Sequence, residues 1–340
     1  MKRLFKMQYK ADKQDFVSVL KKIDWNKYIV YIAFVAVFVF LSIWLGGKGF
    51  LSTNNVLNIT RQTAMITIMA IGMTFVIGAG QIDLSVGSTA ALSALVCALA
   101  LRFTENILPI PCAVILAALF SVIIGALIGA VNGLLVTEIS IPSFLVTLGT
   151  MGIVRGSAMW LTNTAAVPIS DKTPFNFIFG MGEIGRIPVL LVWTAVFVTA
   201  GYVLLNKTPF GKKTLAVGGN EVAAAFSGIN IKRVKLLTFV MTGALAAFAG
   251  VLYAGRMGAG RYTFGDGDEL TTIAAVILGG TSMAGGSGFV IGAFVGSLLM
   301  GMINNGLILG GLSVSQQTIV RGVIIILAVA LSNISRKKRK

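Results

Sequence analysis

The chain contains no histidine in its 340 residues. That absence removes the commonest general base, proton relay and haem ligand. Cysteine is nearly absent as well. Cys97 and Cys112 are the only two, their spacing fits no metal site, and both lie in or beside apolar runs where a buried thiol is ordinary packing. Charge is scarce: 12% of residues are charged, against about 25% in a soluble domain. A phosphate loop is missing too. The stretch "NKTPFGKKT" comes close, but Asn206 stands where GxxxxGK[ST] needs its first glycine, and without that backbone cradle ATP is not held in the Walker manner. No acid cluster in the apolar runs suggests a metal. These absences argue against an enzyme, and no cofactor is expected on this chain.

What the chain has is hydrocarbon. Hydrophobic residues make up 56% of it, mean hydropathy is +0.89, and apolar runs of roughly 20 residues, enough to cross a core of ~30 Å, recur from Tyr28 onward. A β-barrel would alternate apolar and polar residues instead. Ten spans are expected, near 28–45, 62–79, 86–102, 112–136, 143–162, 188–205, 236–256, 270–283, 289–309 and 317–334. The net charge of +16 is concentrated: residues 1–27, 207–235 and 336–340 carry 19 of the 28 cations. That placement is an orientation signal and not a nucleic-acid surface. It sets both termini and the 207–235 loop in the cytoplasm, which an even span count allows. Glu105, Asp171, Glu183, Asp266, Asp268 and Glu269 then fall on outer loops. The basic start, with a full-length span behind it and no small-residue cleavage site, reads as an anchor and not a signal peptide. The organisation expected is a cytoplasmic basic segment 1–27, a transmembrane domain 28–334 and a cytoplasmic basic tail 335–340 whose default contact is anionic lipid.

The halves repeat faintly. "IIGALIGAVNGLLV" at 123–136 resembles "VIGAFVGSLLMGMI" at 290–303, and "IVRG" at 153–156 recurs at 319–322. The fourth and fifth spans thus correspond to the ninth and tenth. A shift of five reverses orientation, so the expected fold is an all-α polytopic membrane protein of about ten helices, in two inverted repeats with discontinuous helices. GxxxG pairs at Gly125/Gly129 and Gly292/Gly296 mark close helix packing.

Ten spans without a catalytic site suggest a solute path. Intramembrane charges amount to Arg155, Arg321 and a boundary Asp83, thin equipment for an ion-coupled carrier, so an external ATPase is the leading energy source. A secondary carrier is the runner-up, and a scaffold or receptor without transport a third class. In the central loop, "NEVAAAFSGI" reads as a short helix capped by Asn220, with Glu221 at its positive end and Gly228 stopping it. Such a helix suits docking into a partner's groove or lying on lipid.

Four stretches, "GAGQIDLSVGS", "AVGGNEVAAAFSGIN", "AAVILGGTSMAGGSG" and "GMINNGL", together resemble the permease subunit of bacterial ribose-type ABC importers, in the branched-chain family of binding-protein-dependent permeases. The resemblance runs from about Phe50 to Leu331 and leaves out the segment before Tyr28. It implies a bacterial inner-membrane protein with three partners: an extracytoplasmic sugar-binding protein, a second permease subunit (identical or a close paralogue) and cytoplasmic ATPase subunits that hold ATP and Mg. It also implies that Gly218, Gly219, Asn220, Glu221, Ala224, Phe226, Ser227, Gly228 and Asn230 form the coupling region against the ATPase, and that loops 163–187 and 257–269 meet the binding protein. A monosaccharide such as ribose is the expected solute, with a nucleoside or other non-sugar as the alternative.

For the path, the candidates are polar side chains on apolar spans: Thr74, Gln81, Asp83, Ser85, Asn132, Thr150, Asn304, Asn305 and Gln317. Amides and hydroxyls suit a polyhydroxylated solute, yet the same groups serve as bonds between helices. Arg155 reads as a structural charge on a carbonyl or an acid more than as a solute contact. Around Asp83, Gly78, Gly80 and Gly87 make the chain easy to break, and irregular backbone at membrane depth is tolerated only inside protein or beside a cavity. A discontinuous helix near the path is expected there, with Asp83 either capping a helix or touching solute. "GDGDELTTIAAV" is its counterpart, with Asp268 or Glu269 in the capping part.

Overall fold

A computed structural model describes residues 29–169 and 174–337 of the chain; the basic segment 1–27, Asp171 and residues 338–340 lie outside them. All ten expected spans are helices: α1 (Ile29–Leu45), α2 (Thr53–Gly78), α3 (Val86–Thr104), α4 (Ile110–Thr137), α5 (Ser143–Thr162), α6 (Val189–Lys207), then, after the short α7 (Pro209–Gly219) and α8 (Glu221–Phe226), α9 (Ile231–Met257), α10 (Asp268–Leu278), α11 (Val290–Leu309) and α12 (Val314–Lys337). Among the described residues eight of them are long and apolar enough to cross a membrane, and α12 adds a shorter apolar stretch, Val314–Leu327. The eighth expected span, 270–283, is the correction. Its helix α10 has 11 residues, about 16 Å of rise, half of what a ~30 Å core requires. The apolar run continues past Leu278, but Gly280, Gly285 and Gly286 all take positive φ and the chain goes on as irregular backbone to Phe289.

The repeat is visible in the packing. α3 packs on α4 and α5 in the first half as α10 packs on α11 and α12 in the second, and α2 lies on α11 as α9 lies on α4. Both GxxxG pairs sit at such seams. A Cβ on Gly129 would stand 2.2 Å from the Phe239 carbonyl oxygen of α9, and one on Gly296 would stand 2.1 Å from the Ala275 oxygen of α10. Backbones meet there with no room for a side chain.

Loop 163–187 is less free than a plain outer loop. Phe175 is fully buried, Phe179 stacks on Trp193 at 5.8 Å, and the Trp193 indole donates to the Ile178 carbonyl (2.8 Å). β1 (Val167–Pro168) pairs antiparallel with β4 (Ala259–Gly260), while β2 (Glu183–Ile184) and β3 (Ile187–Pro188) form a small hairpin.

Gly129→Leu is expected to cost roughly 3 kcal/mol or more through overpacking and to lower the thermal unfolding midpoint in detergent. Gly47→Ala, whose Cβ meets nothing within 4 Å, should leave that midpoint unchanged.

Candidate translocation site

Two stretches of irregular backbone enter the helix bundle from opposite ends. The first is 79–85, the heart of "GAGQIDLSVGS". Gly72 of α2 lies against Thr242 of α9, and Ala90 of α3 lies against Gly250. Those α9 positions are eight residues apart, about 12 Å. The chain therefore leaves α2 at one end of the bundle and doubles back well into it before α3 begins. The second stretch is 258–267. Gly260 lies against Ala94 and Leu95 of α3, and Gly265 against Gly87, about 10 Å lower on the same helix. So the 257–269 region is no simple outer loop; it descends into the bundle and starts α10 there.

The two helices begin face to face. A Cβ on Gly87 would stand 2.2 Å from the Gly265 carbonyl oxygen and 2.4 Å from Glu269 Oε2. Helix N-termini expose unpaired N–H groups and carry partial positive charge, and here two of them converge with Asp83 near one and Asp268 and Glu269 in the first turn of the other.

Irregular backbone inside the bundle needs partners, and α5 supplies them. Ser143 Oγ accepts from the Ile82 N–H (3.2 Å), and Thr147 Oγ1 is 3.4 Å from the Ile82 carbonyl. Further along α5, the Arg155 guanidinium donates to the carbonyls of Tyr262 and Phe264, the latter at 2.8 Å, and stands 4.0 Å from Asp266. Arg155 is thus the structural charge expected, bound to carbonyls. Its repeat counterpart Arg321 comes to the same place, with Nη1 3.8 Å from the Cβ position of Gly267.

Four of the nine candidate path residues are joined in one directed chain. Thr150 donates to Asn132 Oδ1 (2.6 Å), Asn132 Nδ2 donates to Ser85 Oγ (3.0 Å), and Ser85 Oγ donates to Asp83 Oδ1 (2.6 Å). Asp83 also accepts from the Ser85 N–H (2.8 Å). The aspartate is buried and ends the chain as an acceptor from Ser85, the residue just before α3; it closes a turn there, and no side chain caps the first N–H groups of α3. Asp268 Oδ2 accepts from Tyr253 (2.5 Å), so it too is held by the protein. Both Asp268 and Glu269 belong to α10 and not to an outer loop, because the descent of 258–267 carries them inward.

The other candidates disperse. Thr74 is buried and bonds the Ala70 carbonyl of its own helix (2.7 Å). Asn305 makes a reciprocal amide pair with Asn55 (2.9 and 3.0 Å) that ties α11 to α2. Gln317 donates to the Leu312 carbonyl (2.9 Å) at the start of α12. Gln81 lines a cleft of about 470 Å3 near α8, with Thr137, Ser140, Glu221 and Lys235. Asn304 Oδ1 is buried with no hydrogen-bond partner among the described residues, and so are Thr89 Oγ1, Thr272 Oγ1, Glu269 Oε2 and Arg321 Nε. Thr89, Glu269 and Thr272 lie in the first two turns of α3 and α10, where the broken spans meet. Ser143 and Thr147 were not among the expected residues; their spacing of four, with Thr150 three further on, puts polar groups on one face of an apolar helix and is readable in sequence.

The stretch 218–230, where the coupling contact is expected, is held by local bonds. Asn220 Oδ1 accepts from the Ala223 N–H (3.0 Å) and caps α8, Gly228 ends it at φ +77, and Asn230 caps α9 by accepting from the Arg233 N–H (2.9 Å). Ala224 is buried, while Val222 and Phe226 are 66% and 90% exposed. Lys235 pairs with Glu221 (2.6 Å) and Lys232 with Glu138 (2.7 Å), fixing α8 to α9 and α9 to the end of α4. Thr208 starts α7 as its cap, accepting from the Gly211 N–H at 3.4 Å.

Residues 55–329 match the family described as branched-chain amino acid transport system / permease component. The chain belongs to that family. It is 39% identical over 287 residues to the ribose import permease protein of Escherichia coli, covering 84% of this chain and 87% of the relative. To the ribose import permease protein of Bacillus subtilis it is 42% identical over 292 residues, covering 85% and 87%. To the galactose/methyl galactoside import permease protein of Escherichia coli it is 34% identical over 339 residues, covering 97% and 99%. That last match reaches into the segment before Tyr28, which the motif resemblance had left out. No solved structure matches.

Asp83→Asn keeps an acceptor oxygen for Ser85 and is expected to preserve folding and most of the activity, whereas Asp83→Leu orphans Ser85 and costs roughly 1–3 kcal/mol. Arg155→Met is expected to cost roughly 1–3 kcal/mol for each carbonyl it orphans. Thermal unfolding of the purified variants measures both.

Proposed function

We propose that this chain is the transmembrane permease subunit of an ABC importer and forms the path for a monosaccharide, ribose or a similar sugar, handed over by an extracytoplasmic binding protein. The observation that carries the reading is the meeting of two broken spans, N-terminus to N-terminus, in a chain related to ribose and galactose import permeases along most of its length. Positive helix ends, hydroxyls of Thr89 and Thr272 and a carboxylate oxygen of Glu269, these three without a partner among the described residues, suit the donors and acceptors of a neutral polyol. A branched-chain amino acid, the solute in the family's description, would present two full charges, and the sugar relatives favour the polyol.

The end of the bundle that carries α7 and α8 is the cytoplasmic one in this reading, together with both termini, on the inner membrane of a bacterium. The basic residues of 207–235 and the tail support that orientation through the retention of cations inside, and anionic lipid is their neighbour. Phe226 and Val222 form an apolar knob on a short, capped and salt-bridged helix, a shape that fits a groove on a cytoplasmic ATPase. ATP and Mg are held by that partner, and hydrolysis is its work. A second permease subunit, identical or a close paralogue, covers the outward faces of α5 and α12, where Gly149, Gly152, Gly156 and the repeat-related Gly322 have nothing within 4 Å and allow close helix contact.

Reconstitution with the ATPase and binding protein is expected to give ATP-dependent sugar uptake. Uptake by proteoliposomes of this chain alone, driven by an ion gradient, contradicts the reading and favours a secondary carrier. Phe226→Asp is expected to reduce co-purification of the ATPase at least tenfold, on the scale of roughly 2 kcal/mol for an apolar anchor.

A further inference from the structure

The end of α7 is clasped by both broken spans. Gly218 lies in its last turn, and a Cβ there would stand 1.9 Å from the Gly78 carbonyl oxygen, 2.8 Å from the Gly286 nitrogen and 2.9 Å from the Ala79 carbonyl carbon. The Gly286 N–H donates to that same Gly78 oxygen (3.0 Å). Three backbones therefore meet at one point: the end of α2 where 79–85 begins, the irregular stretch 279–289 that follows α10, and the helix that leads into α8. Leu215, one turn earlier on α7, fills the space beside them, with Cδ2 3.1 Å from the Cβ position of Gly78 and 3.5 Å from that of Gly288.

Gly218 is helical, and alanine is the better helix former by about 1 kcal/mol. Local preference therefore does not call for glycine; only the close approach does. Its neighbour Gly219 differs. A Cβ there would meet Gly286 Cα at 3.6 Å, an ordinary contact.

We propose that Gly78, Gly218 and Gly286 form a rigid joint that passes movement of α7–α8 to both broken spans at once. Asn220 is the single residue between α7 and α8, so displacement of the docking helix is carried straight into Gly218. From there one branch runs through 79–85 to Asp83, Ser85 and the start of α3. The other runs through 279–289 to α10 and the Asp268 end. The two branches meet again at Gly87 and Gly265, so one push moves both helix starts in register. The three glycines are positioning residues: they touch no solute and act through the backbone they hold.

The joint rests on the docking reading of α8, and the measurement separates the two. In the full transporter with ATPase and binding protein, Gly218→Ala is expected to keep the ATPase bound and hydrolysing with an unchanged KM for ATP. Sugar transported per ATP hydrolysed should fall at least tenfold, and Gly47→Ala, whose Cβ meets nothing within 4 Å, should stay within twofold of the parent. A merely structural role would reduce transport and hydrolysis together and leave their ratio fixed, which overturns the joint. Failure of Phe226→Asp to release the ATPase would instead overturn the docking reading. If Gly218→Ala does not assemble, a Leu215→Cys/Gly288→Cys pair, in a background without Cys97 and Cys112, decides the matter. Bridging the pair with a short bifunctional thiol reagent should leave transport within twofold, since a rigid joint has no internal motion to block. Loss of transport with hydrolysis intact would overturn it.

Discussion

Side chains of α5 hold two irregular segments inside a bundle of apolar helices, and the rest of the architecture depends on that support. Backbone N–H and carbonyl groups away from water must find partners. Ser143 and Thr147 serve the segment before α3, and Arg155 serves the segment before α10. Without these bonds neither segment has reason to enter the bundle, and α3 and α10 would start at its surfaces. With them, both helices start inside it. A cation in hydrocarbon is expensive unless it is bound, and two carbonyls with Asp266 close by offset that cost for Arg155.

The consequence is a site made from backbone more than from side chains. Gly87 and Gly265 let the two segments touch, which brings two helix N-termini together where the inverted halves meet, the arrangement associated with solute paths in transporters. Asp83, which looked chemically conspicuous in the sequence, is committed to Ser85 and through it to Asn132 and Thr150. That chain locks 79–85 to α4 and α5. Where the two helix starts meet, the polar atoms without a partner among the described residues are Thr89 Oγ1, Thr272 Oγ1 and Glu269 Oε2.

Span positions were legible because hydropathy is a length signal, and helix edges agree within a few residues for most of the ten. α2 begins nine residues earlier than expected, since "TNNVLNITR" is polar and yet continues the helix against α11. The break after Leu278 was hidden for the opposite reason. "GGTSMAGGSG" is rich in small, weakly apolar residues and reads as a continued span. Glycine-rich backbone that enters a bundle and an apolar helix look alike on a hydropathy scale. Asp268 and Glu269 were misplaced on an outer loop by the same blindness to depth. The cap at Asn220 and the seams at Gly125/Gly129 and Gly292/Gly296 were readable because each rests on local chemistry. The bonds of Asn305, Gln317 and Thr74 within the chain were not legible in advance: a buried amide or hydroxyl has the same signature whether its partner is a neighbouring helix or a solute.

In the proposed importer the two irregular segments guard opposite sides of one path. The direct measurement is labelling by a membrane-impermeant thiol reagent in a cysteine-free background, with Gln81→Cys and Asp266→Cys tested separately. Gln81→Cys is expected to react only from the cytoplasmic side and Asp266→Cys only from the outer side, and their reactivities should change in opposite directions when the assembled transporter is trapped with ATP and vanadate. Reaction of both from one side, or no change on trapping, would contradict it.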